Sequence, residues 1–362
     1  MPHFKVLFIS RATLFQDRGG DTIQLLETAK HLKILGVKVD IKLCNENIDY
    51  KPYALIHFFN IIRPADILIH IKRSGKPFVI STIYVDYSEL DRVQRKGVVG
   101  VIFKLLSKDG IEYLKVLARF LLNGEKIISP AYLFFGQKNS VRRIIRLSSM
   151  LLPNSNSEYT RLCKDYGTEA PYKVIPNAID SDLFRYKYGT SSKDPRTVLC
   201  VGRIEYRKNQ INLIRALNNT NFRLIIIGSA STNQQRYVEE CRKIAAKNIQ
   251  FIDSLPQEEL LNYYMKAKVH ALPSWFETTG LSSLEAAAMG CNLVITDKGD
   301  TREYFGNYAF YCDPNSPASI FAAVEMASSS GFNEVLRESI YSKYTWPKAA
   351  ERTLEVYRDI VG

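Results

Sequence analysis

PSWFETTGLSSLEAAAMGCNLVITDKGDTREYFGNYAFYCDP, residues Pro273–Pro314, is the stretch from which the fold of this chain is read. The apolar run Val269–Leu272 just before it reads as a strand entering a loop, and the loop holds Glu277 and Gly280. Leu281–Met289 has helical spacing and carries Glu285; Gly290 stops it, and Leu293–Thr296 reads as the next strand. A polar loop through Gly299 and Asp300 follows. The two carboxylates, at 277 and 285, therefore straddle a strand–loop–helix turn. In a doubly wound parallel sheet such a turn lies at the carboxyl ends of the strands, where ligands bind. The helix N-terminus offers unpaired N–H groups and the positive end of a dipole, which suits a phosphate. One carboxylate in the loop and one in the helix can then grip the hydroxyls of a bound nucleotide-sugar.

Working outward, the chain restarts the same pattern twice. Residues 4–10 read as a first strand, the loop 11–20 ends in Gly19-Gly20, Asp21–Leu35 repeats apolar residues at helical spacing, and Val37–Leu43 is a strand again. That is one βαβ crossover of the kind that builds parallel sheets. There is no GxGxxG, so a dinucleotide fingerprint is not expected. Tyr53–Phe59, Ile67–Ile71 and Pro77–Thr82 read as further strands, a cap-like Ser157 as the start of a helix through Cys163, and Val174–Asp180 as a strand ending in a turn. Residues 186–196 (YKYGTSSKDPR) are polar and turn-rich, as a linker is.

After it, Thr197–Val201 is a strand, followed by Gly202-Arg203 and by Lys208 at the start of a helix to Leu217. Arg203 presents a planar fork to phosphate oxygens and Lys208 a mobile point charge. Glu205 and Arg207 between them read as surface residues. Arg223–Gly228 and Ile249–Ile252 are strands, and 234–247, 258–266, 317–330 and 348–360 are helices.

At 362 residues the chain exceeds the ~250–300 at which single cores usually split, so two domains are expected. The six cysteines are scattered without a CxxC pair, which suits a reducing compartment and gives no metal spacing. The first ten residues read as a buried strand rather than a leader peptide, and no run approaches the ~20 apolar residues of a spanning helix. A formal charge of +12 invites nucleic acid, anionic lipid or an anionic substrate. No nucleic-acid-binding motif accompanies it, so nucleic acid is not an expected partner.

The pattern of Glu277 and Glu285 with Pro273-Ser274 before and Ala286–Gly290 after, joined by Gly202-Arg203 and Lys208, resembles the retaining family-4 glycosyltransferases. The resemblance covers nearly the whole chain and is motif-rich from about 197 to 314. It implies an α/β chain of GT-B fold, with two Rossmann-like doubly wound domains facing across a cleft. The expected boundaries are 1–187 for an acceptor-side domain, 188–343 for a donor domain, and 344–362 for a helix crossing back. The implied reaction moves a sugar from a nucleoside-diphosphate sugar to an acceptor hydroxyl with retained configuration.

By the same resemblance, Arg203 and Lys208 stabilise the departing diphosphate, Glu277 holds the donor sugar and Glu285 the ribose. Gly19, Gly20, Gly202, Leu255, Thr279, Gly280 and Leu281 line the donor. Tyr84 stands about where the family carries a histidine near the transferred sugar, with Asp86 close by, and a phenol is no proton carrier near pH 7. Ala178 replaces the glycine of the family's Pro-Asn-Gly-like turn, and Asp300 stands where relatives often carry a glycine. No DxD-like cluster stands at an expected position, so no cofactor and no metal is expected.

Residues 92–149 alternate apolar clusters with lysine and arginine, and such a segment can lie on an anionic membrane surface. Expected partners are thus a nucleotide-sugar donor, a saccharide or lipid-linked saccharide acceptor, and a peripheral membrane contact. The expected place is the cytoplasm, at the inner face of the plasma membrane. Bacterial surface polysaccharide or lipid-linked oligosaccharide synthesis is the implied setting. The alternatives are a non-catalytic nucleotide-sugar-binding subunit of a polysaccharide assembly and a sugar-nucleotide epimerase on the same fold.

Overall fold

The computed structural model describes residues 4–85, 109–110, 113, 130–185, 193–231 and 234–362. By internal contacts the chain divides into two units, Met1–Pro176 with Pro347–Gly362, and Asn177–Trp346.

The first unit is built on a five-stranded parallel sheet of order β2-β1-β3-β4-β5. Its strands are β1 (Lys5–Ser10), β2 (Lys38–Leu43), β3 (Leu55–Phe59), β4 (Phe78–Ser81) and β5 (Met150–Leu152). Near-continuous burial of β1, β3 and β4 is what a parallel sheet covered on both faces demands. Helix α1 (Gly20–Ile34) follows β1, with Asp21 in its first turn and His31 and Lys33 in its last, each on the favourable end of the helix dipole. The chain reverses direction across the sheet between β1 and β3, so the Gly19-Gly20 loop sits at this unit's switch point.

Residues 67–71, expected as a strand, lie instead inside helix α2 (Pro64–Ser74). Pro64 at the first turn, the Arg63–Asp66 pair at 2.6 Å and Gly75 in the left-handed conformation fix both ends of it. Helix α3 (Pro130–Leu147), broken at Gly136, packs against α2. Helix α4 (Asn156–Tyr166) is capped by Ser155, which accepts from the Glu158 amide at 2.9 Å, and not by Ser157. Residues 174–180 hold a single isolated bridge, Ile179 to Thr345, where a strand was expected. Most of the basic stretch 92–149, the stripe expected over 102–121 in particular, lies outside the described residues, as does Asp86. Among the described residues no helix is long and apolar enough to cross a membrane.

The last helix, which begins in the second unit at Trp346 and runs to Val361, closes the first unit. The Tyr357 hydroxyl meets His57 Nδ1 at 2.6 Å, and Ser81 Oγ meets His57 Nε2 at 2.9 Å, so both ring nitrogens of this fully buried imidazole are bonded.

The second unit carries a six-stranded parallel sheet of order β11-β10-β9-β6-β7-β8. The strands are β6 (Asp194–Val201), β7 (Arg223–Ile227), β8 (Ile249–Ile252), β9 (Ala267–Leu272), β10 (Asn292–Ile295) and β11 (Phe310–Tyr311). Strand β6 takes in 194–196, the end of the expected linker; 186–192 lie outside the described residues. The helices that surround the sheet include α5 (Gln210–Leu217), α6 (Gln235–Ile244), α7 (Gln257–Lys266) and α8 (Leu281–Ala288). Three more, α9 (Thr301–Phe305), α10 (Pro317–Ser329) and α11 (Glu334–Lys343), complete the unit, and α9 and α11 had no counterpart in the sequence reading. The unit begins ahead of the expected boundary at 187/188. Ile179 bridges to Thr345, and Ile179 and Phe184 are buried in the same core as β6 and β9.

Candidate active site

Strands β6 and β9 are neighbours, with Leu199 opposite His270, although the chain travels out through β7 and β8 before it returns. Their carboxyl ends therefore open side by side at the switch point of the second sheet. The loop after β6 carries Gly202, Arg203 and a single 3-10 turn, Tyr206–Lys208; the loop after β9 carries Ser274 and Glu277.

Backbone and amide bonds stitch these loops together. Asn209 donates from Nδ2 to the carbonyls of Pro273 (3.0 Å) and Pro314 (2.8 Å), and the Trp275 amide donates to the Arg207 carbonyl at 2.9 Å. The loop after β10 braces Glu277 from the other side. The Glu277 amide donates to the Lys298 carbonyl and its own carbonyl accepts from the Asp300 amide. Gly299 lies between them at φ +93°, and a Cβ there would stand 2.2 Å from the Glu277 carbonyl oxygen, so only glycine fits.

The side chains these loops bring together form one ionic cluster. Lys208 Nζ donates to Glu277 Oε2 at 2.5 Å and Ser274 Oγ donates to the same oxygen at 3.1 Å. Arg207 reaches Glu277 Oε1 at 3.3 Å, the Phe276 carbonyl at 2.9 Å and Glu205 Oε1 at 3.0 Å. Glu205 Oε2 lies 3.4 Å from Arg203. Arg203 is the most open of the five, its side chain 36% exposed against 10–14% for the others. Three cations face two carboxylates in the cluster, and Arg203 is the cation most exposed to solvent.

Burial raises the Glu277 carboxyl, but Lys208 and Arg207 outweigh it and hold the group at about 2. Burial likewise opposes ionisation of Glu205, which Arg207 and Arg203 nevertheless keep below its ordinary value. Burial pulls the Lys208 ammonium below its ordinary value, with Glu277 opposing. Glu205 and Arg207, expected at the surface, are thus corrected to members of the site. The alternation of Arg203 and Glu205 about Ile204 on an extended segment was the signal for Glu205; Arg207 lies in the 3-10 turn, and no such period marks it.

Gly280 is the N-cap of helix α8 and supplies no capping side chain; its carbonyl accepts from the Ser283 and Leu284 amides at 2.8 and 3.1 Å. Thr279 is buried, with its hydroxyl accepting from Asn177 Nδ2 at 3.3 Å; Leu281 is half-buried. Within α8, Glu285 takes partners the sequence reading did not name. Gln257 Nε2 donates to its Oε1 at 2.9 Å and the Tyr264 hydroxyl to its Oε2 at 3.0 Å. Burial pushes the Glu285 carboxyl up to about 7 against the pull of these two donors. Leu255 is half-buried and packs on the core of this unit, and the Gly202 amide is taken by the Ile227 carbonyl.

The remaining expected site residues belong to the first unit. Gly19 caps α1, and Gly20 is exposed at its first position. Tyr84 is 5% exposed; its hydroxyl donates to Asp165 Oδ2 at 2.6 Å and its amide to Glu158 Oε1 at 2.8 Å. Its phenol packs against Tyr166.

Two parallel-sheet α/β units in succession, each with its functional loops at a switch point, are the architecture of GT-B glycosyltransferases. A search of solved structures finds the same fold in sucrose-phosphate synthase of Thermosynechococcus elongatus, with a TM-score of 0.72 at 15% identity over 99% of both chains. It finds it again in HepE of Anabaena in complex with UDP-glucose, with a TM-score of 0.69 at 16% identity over 99% of this chain and 100% of that one. Residues 186–343, which contain the whole ionic cluster and Glu285, match the family model described as Glycosyl transferases group 1. An uncharacterized glycosyltransferase of Methanocaldococcus jannaschii is 30% identical over 237 residues, 58% of this chain and 60% of that protein. The chain spans between 55 and 60% of the length of the first curated relatives it matches.

Proposed function

We propose that this chain is a glycosyltransferase that moves a sugar from a nucleoside-diphosphate sugar to an acceptor hydroxyl, with retention and without a metal ion. The observation that carries the reading is the Lys208–Glu277 pair at the paired ends of β6 and β9, with Arg203 open beside it. An ionised carboxylate fixed from both sides is suited to accept from sugar hydroxyls, and an exposed guanidinium next to it to a diphosphate. Lys208 gives one of its three N–H donors to Glu277 and has the others for a phosphate oxygen.

In this reading the bond from the sugar's anomeric carbon to the diphosphate oxygen breaks as the acceptor oxygen bonds to the same face. The acceptor's proton passes to the leaving phosphate. Arg203, Lys208 and the first amides of α8 meet the charge that builds on the diphosphate; placing donors where charge develops is usually the largest catalytic contribution. Glu285 accepts from the ribose. Tyr84 takes no part, its hydroxyl being committed to Asp165. The match of 186–343 supports the donor side of this reading, and HepE, crystallised with UDP-glucose, makes uridine nucleotides the first to try. A saccharide or lipid-linked saccharide is the proposed acceptor.

The test is a thermal-shift screen against UDP, GDP, dTDP, ADP and their hexose conjugates, with and without EDTA. A ligand at ~100 times its Kd adds about 2.7 kcal/mol to stability, which is read as a raised Tm. One nucleotide standing out, unaffected by EDTA and lost in Arg203→Ala, supports the reading; silence from all of them sinks it. NMR of the first-formed product assigns retention or inversion.

A further inference from the structure

Of the five charged side chains in the cluster, Glu205 and Arg207 have no part in the reaction as drawn, yet they are buried with it. Arg207 spends its guanidinium on three acceptors: Glu205 Oε1 through Nη2 (3.0 Å) and Nε (3.2 Å), the Phe276 carbonyl (2.9 Å), and Glu277 Oε1 (3.3 Å). Its backbone carbonyl meanwhile accepts the Trp275 amide. Glu277 Oε2 is held by Lys208 and Ser274, so without Arg207 the carboxylate would be fixed through one oxygen only and free to turn about its last torsion.

A rigid planar fork that bonds a carboxylate and the preceding carbonyl sets the direction of that carboxylate as a lysine cannot. Glu205 completes the arrangement. One of its oxygens orients Arg207, and the other faces Arg203 at 3.4 Å, so a single carboxylate sets both the fork behind Glu277 and the cation toward the diphosphate.

We propose that Arg207 and Glu205 are positioning residues: Arg207 aims the Glu277 carboxylate at the donor's sugar, and Glu205 holds Arg207 and Arg203 in register. This rests on the glycosyltransferase reading above. It separates the two arginines by duty, one for sugar through Glu277 and one for phosphate.

The experiment uses the full chain and two readouts, Kd for the free nucleoside diphosphate (UDP, GDP, dTDP, ADP) and the rate of hydrolysis of the matching hexose conjugate to free hexose. Hydrolysis needs no acceptor. In Arg207→Met the nucleotide Kd stays within about threefold while hydrolysis falls by about 10- to 100-fold, the worth of one hydrogen bond to a charged group. Arg207→Lys, which keeps the charge and loses the fork, recovers only a minor part of that rate. Glu205→Gln weakens both readouts, because both arginines lose their anchor.

Equal losses of nucleotide affinity and hydrolysis in Arg207→Met would overturn the division of duty, and so would an unchanged rate. Should that variant not fold, Arg207→Lys decides by the same comparison. A wild-type chain that neither binds a nucleotide nor releases sugar would instead sink the transferase reading itself, and this proposal with it.

Discussion

Lys208 Nζ lies 2.5 Å from Glu277 Oε2, and both side chains are nearly closed to solvent. Taking Lys208 away strips Glu277 Oε2 of its cation and leaves that oxygen to Ser274, with Arg207 on the other oxygen. Lys208→Met is therefore expected to lose on the order of 3 kcal/mol of stability in urea unfolding. The double variant Lys208→Met/Glu277→Gln should lose less than the sum of the single changes, because both remove the same Lys208–Glu277 contact. Strict additivity in the cycle would mean that the two groups do not meet in solution.

Glu285 gives the chain a pH dependence of unusual sign for a carboxylate. Its ordinary value is 4.5, and burial lifts it to about 7 in the folded chain. Between those values the folded state holds a proton that the unfolded chain has released. The stabilisation is full below 4.5 and is lost as pH rises through about 7, a change on the order of 3 kcal/mol. His57 and His270, both lowered to about 3 by burial, act the opposite way: their contribution is present above 6.5 and lost below it. Subtracting the stability curve of Glu285→Gln from that of the wild type removes them. The difference should fall from pH 5 to pH 8; a flat difference would rule out a raised Glu285. Glu277, held at about 2, adds nothing to the slope in this window.

Gly299→Ala places a Cβ 2.2 Å from the Glu277 carbonyl oxygen at a φ of +93°. The strain is expected to cost about 1–3 kcal/mol and to displace the backbone of Glu277, so donor hydrolysis should fall together with Tm. Gly306→Ala serves as the control. It also has positive φ, but its nearest neighbour would be 3.9 Å away, so Tm should drop with turnover retained.

Tyr84→Phe removes the hydroxyl that donates to Asp165. A loss of about 1 kcal/mol in stability is expected, with kcat within about threefold of the wild type. A fall in kcat of about a hundredfold without loss of stability would return Tyr84 to the reacting sugar, as general acid–base and positioning effects have that size.

What could be read from the sequence was local. The strand runs of β6, β7, β9 and β10, the glycine-terminated helix with Glu285, and the Gly-Gly loop before α1 all announce themselves within a dozen residues. Residues 67–71 did not, because ILIHI is apolar but for His70 and fits either period; the informative residues were Pro64 and Gly75 outside it. Glu205 and Arg207 look solvated until Phe276 and Glu277, some 70 positions on, arrive beside them. Separations of 28 and 21 positions hid Gln257 and Tyr264 from Glu285, and one of 81 hid Asp165 from Tyr84. Chemistry-bearing residues were legible where a turn displayed them. The partners that set their charge state were not, because the sheet order, and not the sequence, makes them neighbours.

The bond between His57 and Tyr357 joins positions 300 residues apart. A ribosome adding about 5–20 residues per second needs roughly 15–60 s to make that interval. Throughout that time the His57 imidazole of β3 lacks the Tyr357 hydroxyl that it bonds in the folded chain. The uninterrupted stretch Asn177–Trp346 needs no residue from beyond its own end, and its last residue is made before Tyr357. The order of maturation on the ribosome is then the reverse of the order of translation: the second unit can close first, and the unit that was begun first is finished last.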